Sequence, residues 1–353
     1  FLPEGKSYAM GAMLKEPPPA TGDSIYVQTR GLLEFSVRQH VEALGNVNFR
    51  YDTRVRDLLH ADGRVLGIVD ADGGELRGDL TLDAMGRTGR TVEWIKEMGY
   101  DAPDENVVNC DFACTSVFMR PDDPGVFEDV GFFVFPLLTS EHPARGGALV
   151  RMEDGTLLVS CGGRYGDFPP RDFEGFLEFL ATTPPSPMHD IVAQSKPVGA
   201  PAHYRFPKGI RRRFDQLDQF PEGLLPIGDS ICHYNPVYGQ GMSAASRQAI
   251  ALGRALDGAE DLAGLWRNFF PEAYQETRAP WLFASLADFG HPDCSGDFPS
   301  EEAPTLGAFQ RALGLAQQGD REAGQLTGAI SGLLDRLDVL ERSPWKERLA
   351  QAD

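Results

Sequence analysis

The sequence predicts an α/β chain interrupted by a mostly antiparallel sheet and closed by helices, and three observations carry that expectation. The first is residues 224–255. Leu224, Leu225 and Ile227 make an apolar run long enough for a buried strand and too short for a helix. Gly228-Asp229 ends that strand with a carboxylate at its tip, and Pro236 stops an early helix. Gly239-Gln240-Gly241 lets the backbone pass close to something flat or charged. From Met242 onward, Ala244, Ala245, Ala249, Ile250, Ala251, Leu252 and Leu256 read as one buried helix whose free N–H groups and positive dipole end face the same crevice as Asp229. The second observation is a series of apolar segments at 112–119, 130–138, 147–152 and 156–161, bounded by Asp-Pro-Gly and Gly-Gly turns. The third is a polar, helical reading of everything after Gly258.

Taken in order, residues 1–23 are rich in Pro and Gly and read as a surface loop, and residues 25–27 as a short strand. Arg30 opens a helix whose apolar residues Leu32, Leu33, Phe35, Val37, Val41 and Leu44 are spaced for one buried face, ended by Gly45. Residues 47–52, 55–59, 64–69 and 75–82 read as strands, with hairpin turns at Asp62-Gly63 and Asp72-Gly73-Gly74. A glycine loop, Asp83-Ala-Met-Gly-Arg-Thr-Gly-Arg90, leads into a helix around Trp94. Residues 173–180 form a helix with an aromatic face, and 198–206 return as a strand. In the tail, helices are expected at 262–270 and 279–289, then a Pro-rich break at 292–304, then helices at 306–317 and 323–340, a plausible lid or pairing surface. No internal repeat is present.

Composition sets outer bounds. The chain has 353 residues, 42% of them hydrophobic and 24% charged, enough for two domains. A net charge of −19 argues against nucleic acid and anionic membranes as partners. No apolar stretch approaches the ~20 residues of a membrane helix, and Phe1-Leu-Pro-Glu-Gly is no signal peptide, so a cytoplasmic location is expected. Opening on Phe1 rather than Met suggests a fragment or processed product. Cys110, Cys114, Cys161, Cys232 and Cys294 are odd in number and scattered, which favours reduced thiols over disulfides and gives no metal set. His203 and His233 stand singly and read as structural, and Arg211-Arg212-Arg213 reads as a solvated turn more readily than as a phosphate site. No acid–base pair identifies a catalytic residue.

The ordered string Gly228-Asp229, Pro236, Gly239-Gln240-Gly241-Met242 resembles the second flavin motif of the FAD-dependent monooxygenases, a group that includes aromatic hydroxylases, squalene-epoxidase-like enzymes and geranylgeranyl reductases. The resemblance implies that Asp229 holds the ribityl hydroxyls of FAD, and that Pro236 and Gly239, Gln240, Gly241 and Met242 lie along the isoalloxazine ring. It places Gln28 and Arg30 near the dinucleotide, and Gly86 in a further flavin loop. NAD(P)H is the expected reductant, but Met85 stands where many relatives carry an aspartate that also touches the nicotinamide donor, so the resemblance does not extend to the family's usual handling of it. Read as a dinucleotide fingerprint, the Gly239 stretch fails, because no strand follows its helix to carry a ribose-binding acid.

The same resemblance implies an FAD/NAD(P)-binding, Rossmann-like domain, incomplete at its N-terminus, from residues 1–106 and 214–257. Residues 107–213 would be an inserted substrate domain and 258–353 a helical C-terminal region. Phe132, Phe133, Phe135, Tyr204 and Phe206 are candidates to line an apolar pocket over the flavin, though such a stripe also suits a sheet core. The family's Gly-x-Gly-x-x-Gly segment for the adenosine half has no counterpart before Tyr26, so a further N-terminal segment, or a reductase, is an expected partner. The expected activity is transfer of one oxygen atom from O2 to an apolar alkene or arene. The alternatives are reduction of isoprenoid double bonds, and a non-catalytic truncated relative that binds an apolar ligand. The signature of flavin-dependent halogenases, Trp-x-Trp-x-Ile, is absent, since Trp94, Trp266, Trp281 and Trp345 stand alone.

Overall fold

A computed structural model describes residues 6–9, 12–13, 28–123, 125, 130–134, 145–183 and 188–351. The chain divides into two compact units, residues 1–50 with 110–207, and residues 51–109 with 208–353. Residues 1–50, expected with the flavin-binding segments, thus group with the inserted sheet, and the C-terminal helices share a unit with the Gly228–Asp229 region. The expected strand at 25–27 lies outside the described residues.

The first unit is a sheet in the order Ser195–Phe206, Phe112–Pro121, Leu157–Arg164, Gly146–Arg151, Val130–Val134, Lys6–Ala9, Ala12–Met13. Pairing is antiparallel except between Lys6–Ala9 and Val130–Val134. Strict alternation puts Val117 and Met119 in the core and Phe118 outside, the period-two signature of a half-buried strand. Val117, Met119, Leu149, Leu157, Val159 and Cys161 pack on Phe176, Phe179 and Leu180 of the helix Phe173–Ala181 and on Met188, Ile191 and Val192 of Met188–Ala193. Asp172 starts the first of these helices by accepting the Gly175 N–H at 2.8 Å. The helix Arg30–Glu42 forms where the sequence places it, capped by Thr29, but none of its residues is buried. Its apolar residues Leu32, Phe35 and Val37 are exposed, contrary to the single buried face expected. Amphipathic spacing specifies a helix and a face, not what covers that face.

In the second unit Val55–Ala61 and Arg64–Asp70 form a hairpin through Asp62 (φ 50°) and Gly63 (φ 75°), the left-handed pair such a turn requires. Residues 47–52 carry no strand; Asp52 turns with φ 53°. Thr81–Asp83 lies parallel to Leu224–Pro226. A separate antiparallel sheet runs Cys232–His233, Gly209–Arg212, Glu105–Asn109, Ser295–Gly296. The core joins Trp94, Ile95, Leu224 and Leu225 to an aromatic group of Phe214, Phe220, Trp266, Phe269 and Phe270. Phe220 and Phe270 meet edge to face at 5.0 Å.

Two tail helices expected either side of Pro271 are one, Leu265–Phe289, running through Pro271 and Pro280. Its face from Trp266, Phe269 and Phe270 to Trp281 and Ala284 is buried continuously, and that burial outweighs the roughly 3 kcal/mol that an interior proline costs. Ala303–Gln317, Arg321–Ser331 and Trp345–Leu349 close the chain around Leu282, Ala312, Leu326, Ile330 and Leu337. No helix among the described residues is long and apolar enough to cross a membrane.

Candidate flavin site

Leu224–Pro226 is wholly buried, and the chain leaves it through Gly228 (φ 66°), a conformation that suits glycine. The Gly228 N–H is held by Gln248 Oε1 at 2.8 Å, from the helix Gly241–Asp257, so strand end and helix start are tied together. A Cβ built on Gly228 would stand 3.4 Å from the Ala245 methyl, which shows how closely the two elements pack. Asp229 follows, half-buried, between two glycines. A Cβ on Gly86 would lie 3.8 Å from Asp229 Cβ, and one on Gly241 would lie 3.8 Å from Asp229 Oδ1. The strand-end carboxylate, the Gly86 loop and the first turn of the helix therefore meet at one place.

The Gly86 loop is fixed by Asp83, a buried carboxylate that accepts from Met85 N at 3.0 Å, Thr91 N at 3.1 Å and Thr91 Oγ1 at 2.6 Å. Ser230 bridges the two turns, its hydroxyl reaching Asp83 Oδ1 at 3.3 Å and the Gly86 carbonyl at 3.0 Å. Gly86 itself has φ 71°. The Asn235–Tyr238 stretch is capped by Asn235 Oδ1 on the Val237 N–H, and Gly239 ends it with φ 69° in open space. The helix then starts at Gly241 with no side-chain cap, so its first amides remain available to a ligand.

Of the candidate cofactor residues, Gly86, Gly228, Asp229, Pro236, Gly239, Gln240, Gly241 and Met242 fall in the second unit. Gly239 and Met242 are exposed, and Gln240 turns its Nε2 to the Ser331 carbonyl at 3.5 Å. Gln28 and Arg30 fall in the first unit, Gln28 half-buried and Arg30 exposed, 4.0 Å from Glu34 one turn on. The helix after Gly241 is half-buried rather than wholly so: Ala244, Gln248, Ala251 and Leu252 are inside while Ile250 and Leu256 are exposed, because only one stripe faces the unit's core. Of the pocket candidates, Tyr204 is exposed and Phe206 is buried against Cys110 and Phe112. Phe132 and Phe133 lie on the strand Val130–Val134, and Phe135 falls outside the described residues.

His233 is buried, with Nδ1 3.3 Å from the Asp229 carbonyl, and burial pushes its pKa down to about 4, aided by the charges of Arg212, Arg87 and Lys208. Burial also raises the Cys232 thiol to about 12. None of the five cysteines is in a disulfide, and no group of His, Cys, Asp or Glu among the described residues could hold a metal. Arg211 corrects the expectation of a solvated turn. It is 1% exposed, lies 5.2 Å from the ring centres of both Tyr274 and Trp281, and reaches Asn106 and Glu301. Arg212 reaches Glu105 and the Ser230 carbonyl, each at 3.0 Å, and Arg213 pairs with Asp215. The run is internal wiring: Arg211 and Arg212 at the strand end find partners about ninety or more residues away in Glu301 and Glu105, and Arg213 pairs locally with Asp215 while lying over the Tyr274 ring.

Asp83, Ser230 and Gln248 are the organising residues that motif reading did not single out. Asp83 had a visible signal as a second strand-end acid before a glycine loop. Gln248 had none beyond lying two helical turns from Gly241.

The donor set fits the ribityl and ring portion of a flavin: a half-exposed carboxylate for hydroxyls, and glycines with no Cβ to obstruct a planar group. No family model matches the chain. Protein Rv3254 of Mycobacterium tuberculosis is 29% identical over 310 residues, 83% of this chain and 64% of that protein. Among solved structures, Klebsiella pneumoniae HpxO complexed with FAD and uric acid superposes with a TM-score of 0.56 at 17% identity, covering 75% of this chain and 64% of that one. The flavin-dependent brominase Bmp2 gives a TM-score of 0.60 at 13% identity, over 99% and 81% of the two chains. The chain thus spans 64% of the length of both Rv3254 and HpxO. Its mixed α/β architecture of antiparallel sheets and helices is the fold shared by FAD-dependent monooxygenases and flavin-dependent halogenases.

Proposed function

We propose that this chain is part of an FAD-dependent monooxygenase that places one oxygen atom of O2 on an apolar alkene or aromatic substrate. The observation that carries the reading is the convergence of Asp229, the Gly86 loop and the uncapped start of Gly241–Asp257. Asp229 would accept from the ribityl hydroxyls, and the helix-start amides would face the ring edge where negative charge collects on reduction. FAD, when bound, supplies the electron transfer to O2 and the oxygen transfer itself. The protein's share is to hold the ring, to keep the neighbouring His233 neutral at physiological pH and to exclude water.

The adenosine half of FAD would be held by a further segment of chain. Two features support this. Among the described residues Thr81–Asp83 and Leu224–Pro226 form a two-stranded parallel sheet, whereas parallel sheets are ordinarily wider and covered on both faces. Leu82 on that sheet is exposed, as are Leu32, Phe35 and Val37 of Arg30–Glu42. Electrons would come from NAD(P)H directly or through a separate reductase. Met85, exposed beside the Gly86 loop, favours the reductase over direct hydride transfer by the family's usual route.

The test uses the longest natural form of the protein with FAD, a reductant, an apolar polyene or arene and labelled dioxygen. Label in an epoxide or phenol is the expected result. A saturated product formed without oxygen would replace this reading with double-bond reduction. A chain that binds apolar ligands but no flavin would make it a binding protein.

A further inference from the structure

The loop that carries Pro236, Gly239 and Gly241 is gripped before and after by a single helix. Asp288, 3% exposed in the last turn of Leu265–Phe289, presents Oδ1 to Asn235 Nδ2 at 2.9 Å and to the Tyr238 hydroxyl at 2.8 Å. Asn235 in turn receives the Val237 N–H on its own Oδ1 at 3.2 Å, so Asp288 orients the residue that caps the loop. About three turns earlier on the same helix, the buried Glu276 accepts from Arg247 Nε at 2.5 Å and from Arg254 at 3.3 Å, both on the helix that follows the loop. Arg336 joins Glu276 at 2.6 Å and Glu272 at 2.7 Å, and Arg247 also reaches the Leu333 carbonyl at 2.7 Å. Both ends of residues 235–247 thus hang on carboxylates of one helix, Glu276 and Asp288, which lie on either side of Pro280.

We propose that Asp288 is a positioning residue for the flavin loop, and that the helix Leu265–Phe289 sets where the first amides of Gly241–Asp257 stand. The inference rests on the reading of residues 239–242 as flavin-facing. Its physical basis is directional. Removing a carboxylate oxygen that accepts from both Asn235 and Tyr238 takes away two directional bonds to the loop, and the buried Asn235 amide must find another acceptor. The C-terminal region therefore acts as a brace for the site.

The experiment measures hydrogen exchange at residues 237–243 in the flavin-free protein and FAD affinity by titration, in wild type and the variants Asp288→Ala, Asp288→Asn and Glu302→Ala. Glu302 belongs to a separate buried pair with Arg278 (2.7 Å) in the same unit and reports general destabilisation. Asp288→Ala should speed exchange in the loop and weaken FAD binding, each by about ten-fold. Asp288→Asn keeps an acceptor oxygen and should recover most of both. Glu302→Ala should lower the melting temperature and leave both readouts in place. Unchanged loop exchange in Asp288→Ala, or an equal effect from Glu302→Ala, would overturn the proposal. Should Asp288→Ala not fold, Tyr238→Phe removes one donor only, and exchange indistinguishable from wild type would overturn it equally. Exchange is read without flavin, so wild type failing to bind FAD would sink the functional reading while leaving this one judged on its own.

Discussion

In the first unit Val117, Met119, Leu149, Leu157 and Val159 are each at most 1% exposed and pack on Phe176 and Leu180, so that sheet is held by apolar area. Around Asp229 in the second unit, shape is set by a handful of polar atoms: Asp83 on Thr91 and Met85, Ser230 on Gly86, Gln248 on Gly228, Asp288 on Asn235. The difference teaches how each region tolerates change. Area is shared among many contacts and specifies only that a face be buried. Directional bonds are few and each specifies a position, which a ligand site needs and a scaffold does not.

Four measurements test that contrast. The largest effect belongs to the area-held region. Phe176→Ala should cost about 3–5 kcal/mol of stability in denaturant titration, with FAD affinity of the remaining folded protein unchanged. A loss below about 1 kcal/mol would mean that burial is not what secures this sheet.

Next is a pH dependence in the polar region. The native pKa of His233 is held at about 4 against an ordinary 6.5, so as pH falls the unfolded chain takes up the proton first. Stability is therefore intact above about 6.5, declines between about 6.5 and 4, and reaches its full deficit of roughly 3 kcal/mol below that range. His233→Gln should flatten this part of the profile relative to wild type, and parallel profiles would refute the account.

Asp229→Ala should weaken FAD binding by about ten- to a hundred-fold, the equivalent of 1.5–3 kcal/mol, while shifting stability little because the carboxylate is half-exposed. Equal affinities in wild type and variant would remove Asp229 from the site. The smallest effect is at Gly239. Alanine there meets no protein atom within 4 Å but must adopt φ 69°, so about 1 kcal/mol of stability is at stake. If a flavin lies along Gly239, affinity should fall by more than that. A purely conformational loss with affinity untouched would place the ring elsewhere.

What the sequence determined by itself was everything written in local chemistry. Asp62-Gly63 specifies its hairpin because both residues tolerate positive φ, and the alternation through residues 112–119 specifies one buried face. Leu224 to Asp229 was legible as a buried strand ending in a carboxylate, since a short apolar run before Gly-Asp leaves few alternatives. The tertiary structure alone decided the rest. The helix Leu265–Phe289 passes through Pro271 because an aromatic core elsewhere in the chain outweighs the proline. Arg211 is sandwiched by Tyr274 and Trp281 rather than solvated, and the apolar face of Arg30–Glu42 is exposed although its spacing is that of a buried one. Asp288 finds Asn235 53 residues back along the chain. Periodicity and turn propensity act within a few residues and so can be read in order. A buried donor takes whichever acceptor folding brings to it, and no local pattern records that choice.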